Sequence, residues 1–312
     1  MTALEHATAL LGSRAAIFLG RESGAALFGK DVEHGLIIGP PRCGKTTSLL
    51  IPSVAVHPGP VVVTSTRADV IAATLPARSQ IAARRGSVIG SLTIDQPQEK
   101  ESKRLVWSIT DGCSDWNTAV DRATILAATA VSGDDSAFFR DAAKDMLAGS
   151  LFAASIVGEV DRDVALRIRR GEIHYYQEVI EYHCGPEHPA SVVMSGLFDL
   201  DQMAPETRQS VYATVSSQVL GQFLYQHDSV AEPLDLESFV QGWNTLYIVI
   251  RPERAKGLQP LVASLIEAIT SAWRSSTQRC EGTLLLALDE VANVAPLPGL
   301  PTLLTAGAGD GI

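Results

Sequence analysis

The feature that most constrains this chain is a glycine-rich stretch at residues 39–46, which reads Gly-Pro-Pro-Arg-Cys-Gly-Lys-Thr. Its two glycines are five positions apart, and Lys and Thr follow the second one, which is the complete pattern of a phosphate-binding loop. In such a loop the backbone N–H groups point inward at a phosphate, Lys45 reaches the β and γ oxygens, and the Thr46 hydroxyl ligates Mg²⁺. The pattern therefore predicts a site for nucleotide phosphates.

The residues around this loop favour the same interpretation. The apolar run from His34 to Ile38 predicts a buried strand before the loop, and residues 45–56 predict a helix whose N-terminus faces the anion. Pro52 would kink that helix because it removes a hydrogen bond. The alternative, a glycine turn without a ligand, is strongly disfavoured because Lys45 and Thr46 are in register. The residues expected to bind the nucleotide are Gly39, Pro40, Pro41, Arg42, Cys43, Gly44, Lys45, Thr46 and Thr47.

Strand and helix patterns alternate on both sides of a long helical region. Val61 to Val63, bounded by Pro60 and a polar turn, predict a buried parallel strand, and a helix at 67–85 and a strand at 87–94 follow. The alternation resumes with strands at 245–250 and 283–288 and a helix at 258–274. Between them, apolar residues at helical spacing indicate an inserted helical block, including a helix that begins at Pro205.

The expected fold class is α/β, with a mostly parallel sheet and an inserted all-α domain. We assign residues 1–110 to the first part of a nucleotide-binding domain and residues 111–226 to the all-α insertion. Residues 227–312 form the second part, which we expect to be incomplete at its C-terminus.

Two carboxylates follow the last predicted strand. Asp289 and Glu290 come at the C-terminal end of an apolar strand, which is the edge where open α/β sheets bind ligands. Asp289 can hold the Mg²⁺ that Thr46 also ligates, and Glu290 can orient or deprotonate the water that attacks the γ-phosphate. We therefore predict Glu290 and Lys45 as catalytic residues. Taken alone, the pair is equally well explained as two solvated loop acids.

A transition-state arginine is harder to assign. Phosphoryl transfer needs positive charge on the transferring group, commonly from a neighbouring subunit. Arg67, Arg251 and Arg254 lie at or just beyond predicted strand ends, but each fits an ordinary surface arginine better. None is included in the predicted site.

Composition excludes some classes of protein. The chain has 312 residues, 46% of them hydrophobic, which is ample for a packed core. A net charge of −10 argues against a surface that binds nucleic acid indiscriminately, although an acidic motor can still hold DNA in a basic channel. Four scattered cysteines indicate thiols in a reducing compartment. With no stretch that qualifies as a signal peptide or membrane span, we expect the chain as given to be cytoplasmic.

Several of these segments resemble one known family. They are the loop and its continuation through Ser48 to Pro52, the polar strand exit at Thr64 to Asp69, and the helix start at Phe138 to Asp141. The resemblance also includes a polar start before a long helix, with Glu206, Thr207 and Ser210, and the strand at 246–249. The most specific similarity is at residues 289–298, which carry Asp289, Glu290, Ala292, Asn293, Pro296 and Pro298. Together they are similar to the type IV secretion coupling proteins, the hexameric ATPases of conjugative DNA transfer.

This resemblance implies a RecA-like P-loop NTPase motor that binds ATP and Mg²⁺ and assembles as a homo-hexamer around a DNA channel. It implies that Lys45, Thr46, Asp289 and Glu290 take the nucleotide and hydrolysis roles. It also implies single-stranded DNA and a relaxase as partners, and the type IV secretion machinery at the cytoplasmic face of the cell membrane.

Three departures from the family's pattern leave other functions open. Residues 305–312 contain no arginine where the family usually has one, the chain stops where the family continues, and the common N-terminal membrane anchor is absent. One alternative is a translocase for double-stranded DNA or secreted protein. Another is a nucleotide-binding regulatory module without hydrolysis.

Overall fold

The structure is a computed structural model, which describes residues 15–30, 33–40, 42–93, 102–130, 137–198, 211–213, 215–216, 220–221 and 231–312. Pro41, Ile94 and most of the helix predicted to begin at Pro205 lie outside these ranges.

A parallel sheet forms the centre of the molecule. Two short strands come first and pair as an antiparallel hairpin, β1 (Phe18–Glu22) with β2 (Ala25–Phe28). The remaining strands in the described ranges are β3 (Val61–Ser65), β4 (Ile89–Thr93), β5 (Lys103–Val106), β6 (Glu232–Pro233), β7 (Thr245–Val249) and β8 (Leu285–Leu288). They lie in the order β6-β5-β4-β7-β3-β8, and every neighbouring pair is parallel.

Strand β3 is buried at every position. Its two edges pair with β7 and β8, and its two faces are covered by the cores of the molecule. Val61 pairs with Thr245 on one side and with Leu285 on the other. A strand that is covered on both faces needs apolar residues at successive positions, and the three valines of β3 satisfy this requirement. The expected buried parallel strand is confirmed.

Helices surround the sheet and fill the insertion. After a π-helical turn at Thr46–Leu50, the first α-helices are α1 (Ile51–Val56) and α2 (Asp69–Arg85). The insertion contains α3 (Trp116–Ala130), α4 (Ala137–Val157), α5 (Asp161–Arg170), α6 (Ile173–Cys184) and α7 (Pro189–Phe198). The chain then forms α8 (Leu236–Gln241), α9 (Pro252–Ser275), α10 (Val291–Val294) and α11 (Leu300–Asp310).

The two faces of the sheet have separate cores. On one face Val61, Val63, Tyr247 and Val249 pack with residues of α1 and α2. On the other face Val62, Leu246 and Ile248 belong to a larger core that continues through α9 into the helical insertion. Residues that alternate along a strand point to opposite faces, so the sequence of β3 divides between the two cores.

The helical insertion shares the larger core with the sheet. Leu126 of α3, Met146 of α4 and Leu261 of α9 are buried in the same cluster. The insertion is therefore packed onto the α/β part through α9. Within the described ranges, none of the helices combines the length and the apolar character needed to cross a membrane.

Candidate nucleotide-binding site

The phosphate-binding loop has the curled backbone that its sequence predicts. Gly44 has a φ of 88° and Arg42 a φ of 62°. Glycine accepts a positive φ without steric cost, whereas a side chain such as that of Arg42 is uncommon there. The N–H of Ser48 donates to the Gly44 carbonyl at 2.8 Å and so closes the first turn after the loop. The two positive φ angles and this bond curl the backbone between Arg42 and Ser48.

The side chain of Lys45 folds back over the loop. Its ammonium group donates hydrogen bonds to the carbonyl oxygens of Gly39 at 2.6 Å and Pro40 at 2.9 Å, and lies 3.9 Å from Cys43 Sγ. The Cys43 thiol is exposed. A positive charge is thus held against the loop by neutral acceptors, which an anionic phosphate can outcompete.

The helix after the loop begins irregularly because of Pro52. Residues Thr46–Leu50 form a π-helical turn in which the Ile51 N–H donates to the Thr46 carbonyl. Pro52 then stands in the first turn of α1, where a missing N–H leaves no hydrogen bond broken. The expected helix is therefore present, and the change from π to α geometry accommodates the proline.

The segment before the loop differs from expectation. The predicted buried strand at His34 to Ile38 is wrong, because these residues form no strand and Leu36 and Ile38 are 70% and 86% exposed. A strand needs a neighbouring ladder, and in the described part of the chain nothing pairs with this segment. Instead the His34 ring hydrogen-bonds the carbonyl oxygens of Leu304 and Ile312 at 3.1 and 2.9 Å. These bonds hold the segment against α11.

Asp289 lies against the loop, although 243 positions separate it from Thr46. It follows β8 directly, and its N–H donates to the Thr64 carbonyl of β3 at 3.3 Å. The Thr46 hydroxyl donates to Asp289 Oδ2 at 3.0 Å. The start of the helix after the loop and the end of strand β8 therefore meet through these two side chains.

The Asp289 carboxyl is electrostatically costly in this position. Its partial burial raises its pKa above the usual value, the bond from Thr46 lowers the pKa, and the nearby Glu290 charge raises it again. Burial without a counter-charge disfavours the ionised form. A hydroxyl and a carboxylate side by side are oxygen ligands of the kind that Mg²⁺ prefers, so the residues present fit a bound magnesium ion.

Glu290 has an unusual backbone conformation for its residue type. It precedes α10 with φ 52° and ψ 42°, in the left-handed region that non-glycine residues rarely occupy. Strained residues of this kind occur at functional sites when the surrounding structure holds them in place. One oxygen of its exposed carboxylate, Oε1, accepts a hydrogen bond from the Thr66 hydroxyl at 3.3 Å.

Thr64 and Thr66 are contact residues that sequence reasoning missed. The Thr64 hydroxyl donates to the Asp289 carbonyl at 3.2 Å, and Thr66 holds Glu290. The sequence shows polar residues at the end of β3, but their contacts with Asp289 and Glu290 depend on the pairing of β3 with β8.

The remaining predicted residues have different positions. Thr47 is exposed and its hydroxyl donates to the Gly44 carbonyl at 3.3 Å, whereas Pro41 lies outside the described ranges. Of the candidate arginines, Arg67 forms an ion pair with Asp69 at 3.0 Å, and Arg251 stands at the N-cap position of α9. The bond between Thr46 and Asp289 brings the loop that carries Lys45 to the strand end that precedes Glu290.

Fold and site together define an α/β protein with a phosphate-binding loop and a helical insertion. The family model described as "Type IV secretory system Conjugative DNA transfer" matches residues 10–312, which is nearly the whole chain. The chain belongs to this family. Comparison with curated protein sequences finds no match.

Solved structures of a bacterial conjugative coupling protein, TrwB, share the fold. The chain matches a form of TrwBdeltaN70 in complex with sulphate with a TM-score of 0.52 and 14% identity, over 81% of this chain and 54% of that chain. It matches TrwB in complex with the non-hydrolysable GTP analogue GDPNP, and TrwB in complex with ADP and Mg²⁺, each with a TM-score of 0.50 and 14% identity. Each of these two matches covers 80% of this chain and 61% of that chain. The chain therefore spans little more than half the length of these solved structures.

These comparisons confirm two predictions from the sequence. The family is the one that the motifs resemble, and the fold class, a RecA-like α/β domain with a mostly parallel sheet and an all-α insertion, is the expected one. The domain boundaries and the roles of individual residues stay predictions.

Proposed function

We propose that this chain is the nucleotide-hydrolysing motor of a coupling protein, which uses ATP to pass a relaxase-bound single strand of DNA to a type IV secretion pore. The observation that supports this most is the hydrogen bond of 3.0 Å between Thr46 and Asp289. It unites the two sequence elements that a phosphoryl-transfer site needs, a phosphate-binding loop and a carboxylate at a strand end.

The nucleotide and metal would be held by residues on three elements. The N–H groups of the loop and the Lys45 ammonium would contact the phosphates, and Thr46 and Asp289 would ligate Mg²⁺. The bound metal supplies positive charge that stabilises the transferring phosphoryl group. Because Asp289 is partly buried beside Glu290, the chain holds negative charge where a cation is needed.

Glu290 would orient the water that attacks the γ-phosphate and accept its proton. Its carboxylate is exposed, and Thr66 contacts only Oε1 in the described structure. A carboxylate that is held at one oxygen keeps the other available to a water molecule. In this proposal Lys45 stabilises the charge on the phosphates, and Glu290 activates the attacking water.

Membership of a family for conjugative DNA transfer supports DNA as the cargo. The proposal adds a relaxase, the type IV secretion machinery at the cytoplasmic face of the membrane, and a homo-hexameric ring. An acidic chain with a net charge of −10 needs a localised channel to hold DNA, and a ring provides one.

The first test is ATP hydrolysis with and without single-stranded DNA, in the wild type and in Lys45→Ala. Removing the ammonium takes away positive charge from the phosphates, so we expect the DNA-stimulated rate to fall at least about 100-fold. Lys30→Ala is the matched control, because its side chain is 88% exposed and it lies away from the loop in sequence. It should retain the wild-type rate.

Three results would count against the proposal. Binding of Mg²⁺ and ATP without turnover under any DNA condition would favour a regulatory nucleotide-binding module. Turnover that ignores single-stranded DNA but rises with duplex DNA or a secreted protein would assign the motor a different cargo. An equal rate in Lys45→Ala and the wild type would exclude the loop as the hydrolytic site.

A further inference from the structure

The end of strand β3 and the end of strand β8 lie side by side. In their parallel register the last paired residues are Thr64 and Leu288. Thr66 and Glu290 each lie two residues beyond this pair, where the ladder has ended. The neighbouring strands therefore bring the two segments close together, and the side chains complete the contact.

Thr66 has a rigid and well-buried position from which to contact Glu290. The residue is only 7% exposed, whereas Glu290 is exposed. Its hydroxyl donates to Glu290 Oε1 at 3.3 Å. The branched side chain of threonine has few rotamers, so its hydroxyl is a well-oriented donor for the exposed carboxylate.

The backbone of Glu290 makes such a donor useful. Its left-handed conformation, with φ 52°, departs from that of the preceding strand, and this sends the side chain off in a direction that the strand alone does not determine. The Thr64 hydroxyl donates to the Asp289 carbonyl at 3.2 Å, and the N–H groups of Asn293 and Val294 donate to the Glu290 carbonyl at 2.8 and 3.0 Å. These bonds hold the backbone but not the Glu290 carboxylate. Only Thr66 is seen to hold that carboxylate in the described structure.

We propose that Thr66 is a positioning residue for hydrolysis, which holds Glu290 Oε1 so that the other carboxylate oxygen faces the attacking water. This inference rests on the proposed hydrolytic function. Thr66 touches neither nucleotide nor metal and acts only through Glu290. Loss of its hydroxyl therefore slows turnover without weakening nucleotide binding, because binding depends on the loop and on Asp289.

The test compares Thr66→Val, which keeps the shape and removes the donor, with Thr66→Ser, which keeps the donor. We expect Thr66→Val to lower kcat about tenfold, the factor that corresponds to ~1.4 kcal/mol of barrier, with an unchanged KM for ATP. Thr66→Ser should restore most of the rate. Thr270→Val removes an equally buried hydroxyl from α9 and serves as the matched control, with the wild-type kcat expected.

A double-mutant cycle with Glu290→Gln separates positioning from a merely structural effect. If Thr66 acts through Glu290, Thr66→Val has no further effect on the residual rate of Glu290→Gln. A wild-type kcat in Thr66→Val, an equal loss in Thr66→Ser, or the same tenfold loss in the Glu290→Gln background would overturn the inference.

The four proteins of this cycle are the wild type, Thr66→Val, Glu290→Gln and the double variant. They also test the contact between Thr66 and Glu290 when no hydrolysis occurs. A wild type that binds nucleotide but never turns it over refutes the proposed function, and the cycle is then measured by urea unfolding. Additive effects on the unfolding midpoint would show that the two side chains do not interact, which overturns the inference independently. Non-additive effects would support the contact on which it depends.

Discussion

The two ends of the central sheet hold polar groups in opposite ways. At the C-terminal ends of β3 and β8, carboxylates lie near the surface, and Arg42 and Glu290 have left-handed backbones. At the N-terminal ends of β3 and β7, the Arg78 side chain is 1% exposed and donates to neutral acceptors. The C-terminal end therefore leaves charged side chains accessible to ligands, whereas the N-terminal end buries a charged side chain among its hydrogen-bond partners.

In the described part of the chain, the guanidinium group of Arg78 has hydrogen-bond partners that are all neutral. From α2 it donates to Thr245 Oγ1 at 2.8 Å and to the carbonyl oxygens of His57 at 2.7 Å, Gly59 at 2.9 Å and Trp243 at 3.2 Å. Burial lowers its pKa to about 10, which leaves it charged at neutral pH. It ties α2 to the residues before β3 and β7.

The difference between the two ends indicates that one end of the sheet contributes mainly to stability and the other mainly to ligand binding. A buried group with all partners in place resists change, because removal of any partner leaves an unsatisfied polar atom. A strained or partly exposed carboxylate is costly in the free protein and gains from a bound cation. We therefore expect substitutions at the Arg78 end to affect folding, and those at the Asp289 end to affect ligand binding and turnover.

The largest expected effect is that of Arg78→Met. It leaves three carbonyl oxygens and a threonine hydroxyl buried without their donor, so the free energy of unfolding should fall by about 3 kcal/mol. Urea denaturation measures this change. Arg84→Met is the matched control, since it makes the same substitution at an exposed position of the same helix, and it should change stability by less than about 0.5 kcal/mol.

Lys45→Ala sharpens this comparison from the other end. It should abolish turnover and leave the urea midpoint close to that of the wild type. If Arg78→Met were as stable as the wild type, or if Lys45→Ala unfolded as easily as Arg78→Met, the proposed division between the two ends would be wrong.

His57, which lies at the Arg78 end, is expected to have a smaller effect per pH unit. The pKa of His57 is lowered from 6.5 to about 3, chiefly by burial. The hydrogen bond between Nε2 and the Thr283 carbonyl, at 2.7 Å, raises the pKa, and the Arg78 charge lowers it. Between these values the unfolded chain binds a proton that the folded chain does not. Stability should therefore be lost as the pH falls from about 6.5 toward 3, by up to ~1.4 kcal/mol per pH unit.

His57→Gln tests this pH dependence, because glutamine offers an N–H donor but does not titrate. Urea unfolding at several pH values should show a shallower acid slope in His57→Gln than in the wild type. Identical slopes would mean that other groups cause the acid sensitivity.

The smallest expected effect is a gain of stability in Asp289→Asn. At neutral pH the amide removes a partly buried charge beside Glu290, so the nucleotide-free protein should melt about 2 °C higher. The gain should disappear as the pH falls through the raised pKa of Asp289, because the wild-type carboxyl is then neutral too. Added Mg²⁺ and ATP should stabilise the wild type but not the variant.

Asp121→Asn, at an exposed position of α3, is the control for the amide substitution and should leave the melting temperature unchanged. An Asp289→Asn protein that melts below the wild type, or that is still stabilised by Mg²⁺ and ATP, would contradict the assignment of Asp289 to the ligand-binding end.

Local pattern determined much of this molecule. The spacing of Gly39, Gly44, Lys45 and Thr46 predicted a curled loop before a helix, and the valines of β3 predicted a buried parallel strand. These predictions depend on backbone conformation and on apolar patterning, which neighbouring residues largely set. The motifs also resemble those of the family to which the chain belongs.

Tertiary structure decided the rest, because it depends on which strands become neighbours. An apolar run such as His34 to Ile38 is a strand only where a ladder pairs with it, and here it stays outside the sheet. Likewise, nothing local couples Thr66 to Glu290 or Arg78 to Thr245, since only the order β7-β3-β8 brings those side chains within hydrogen-bonding distance. Side-chain contacts between distant segments follow from strand order and register, and the spacing of residues along one segment does not encode these.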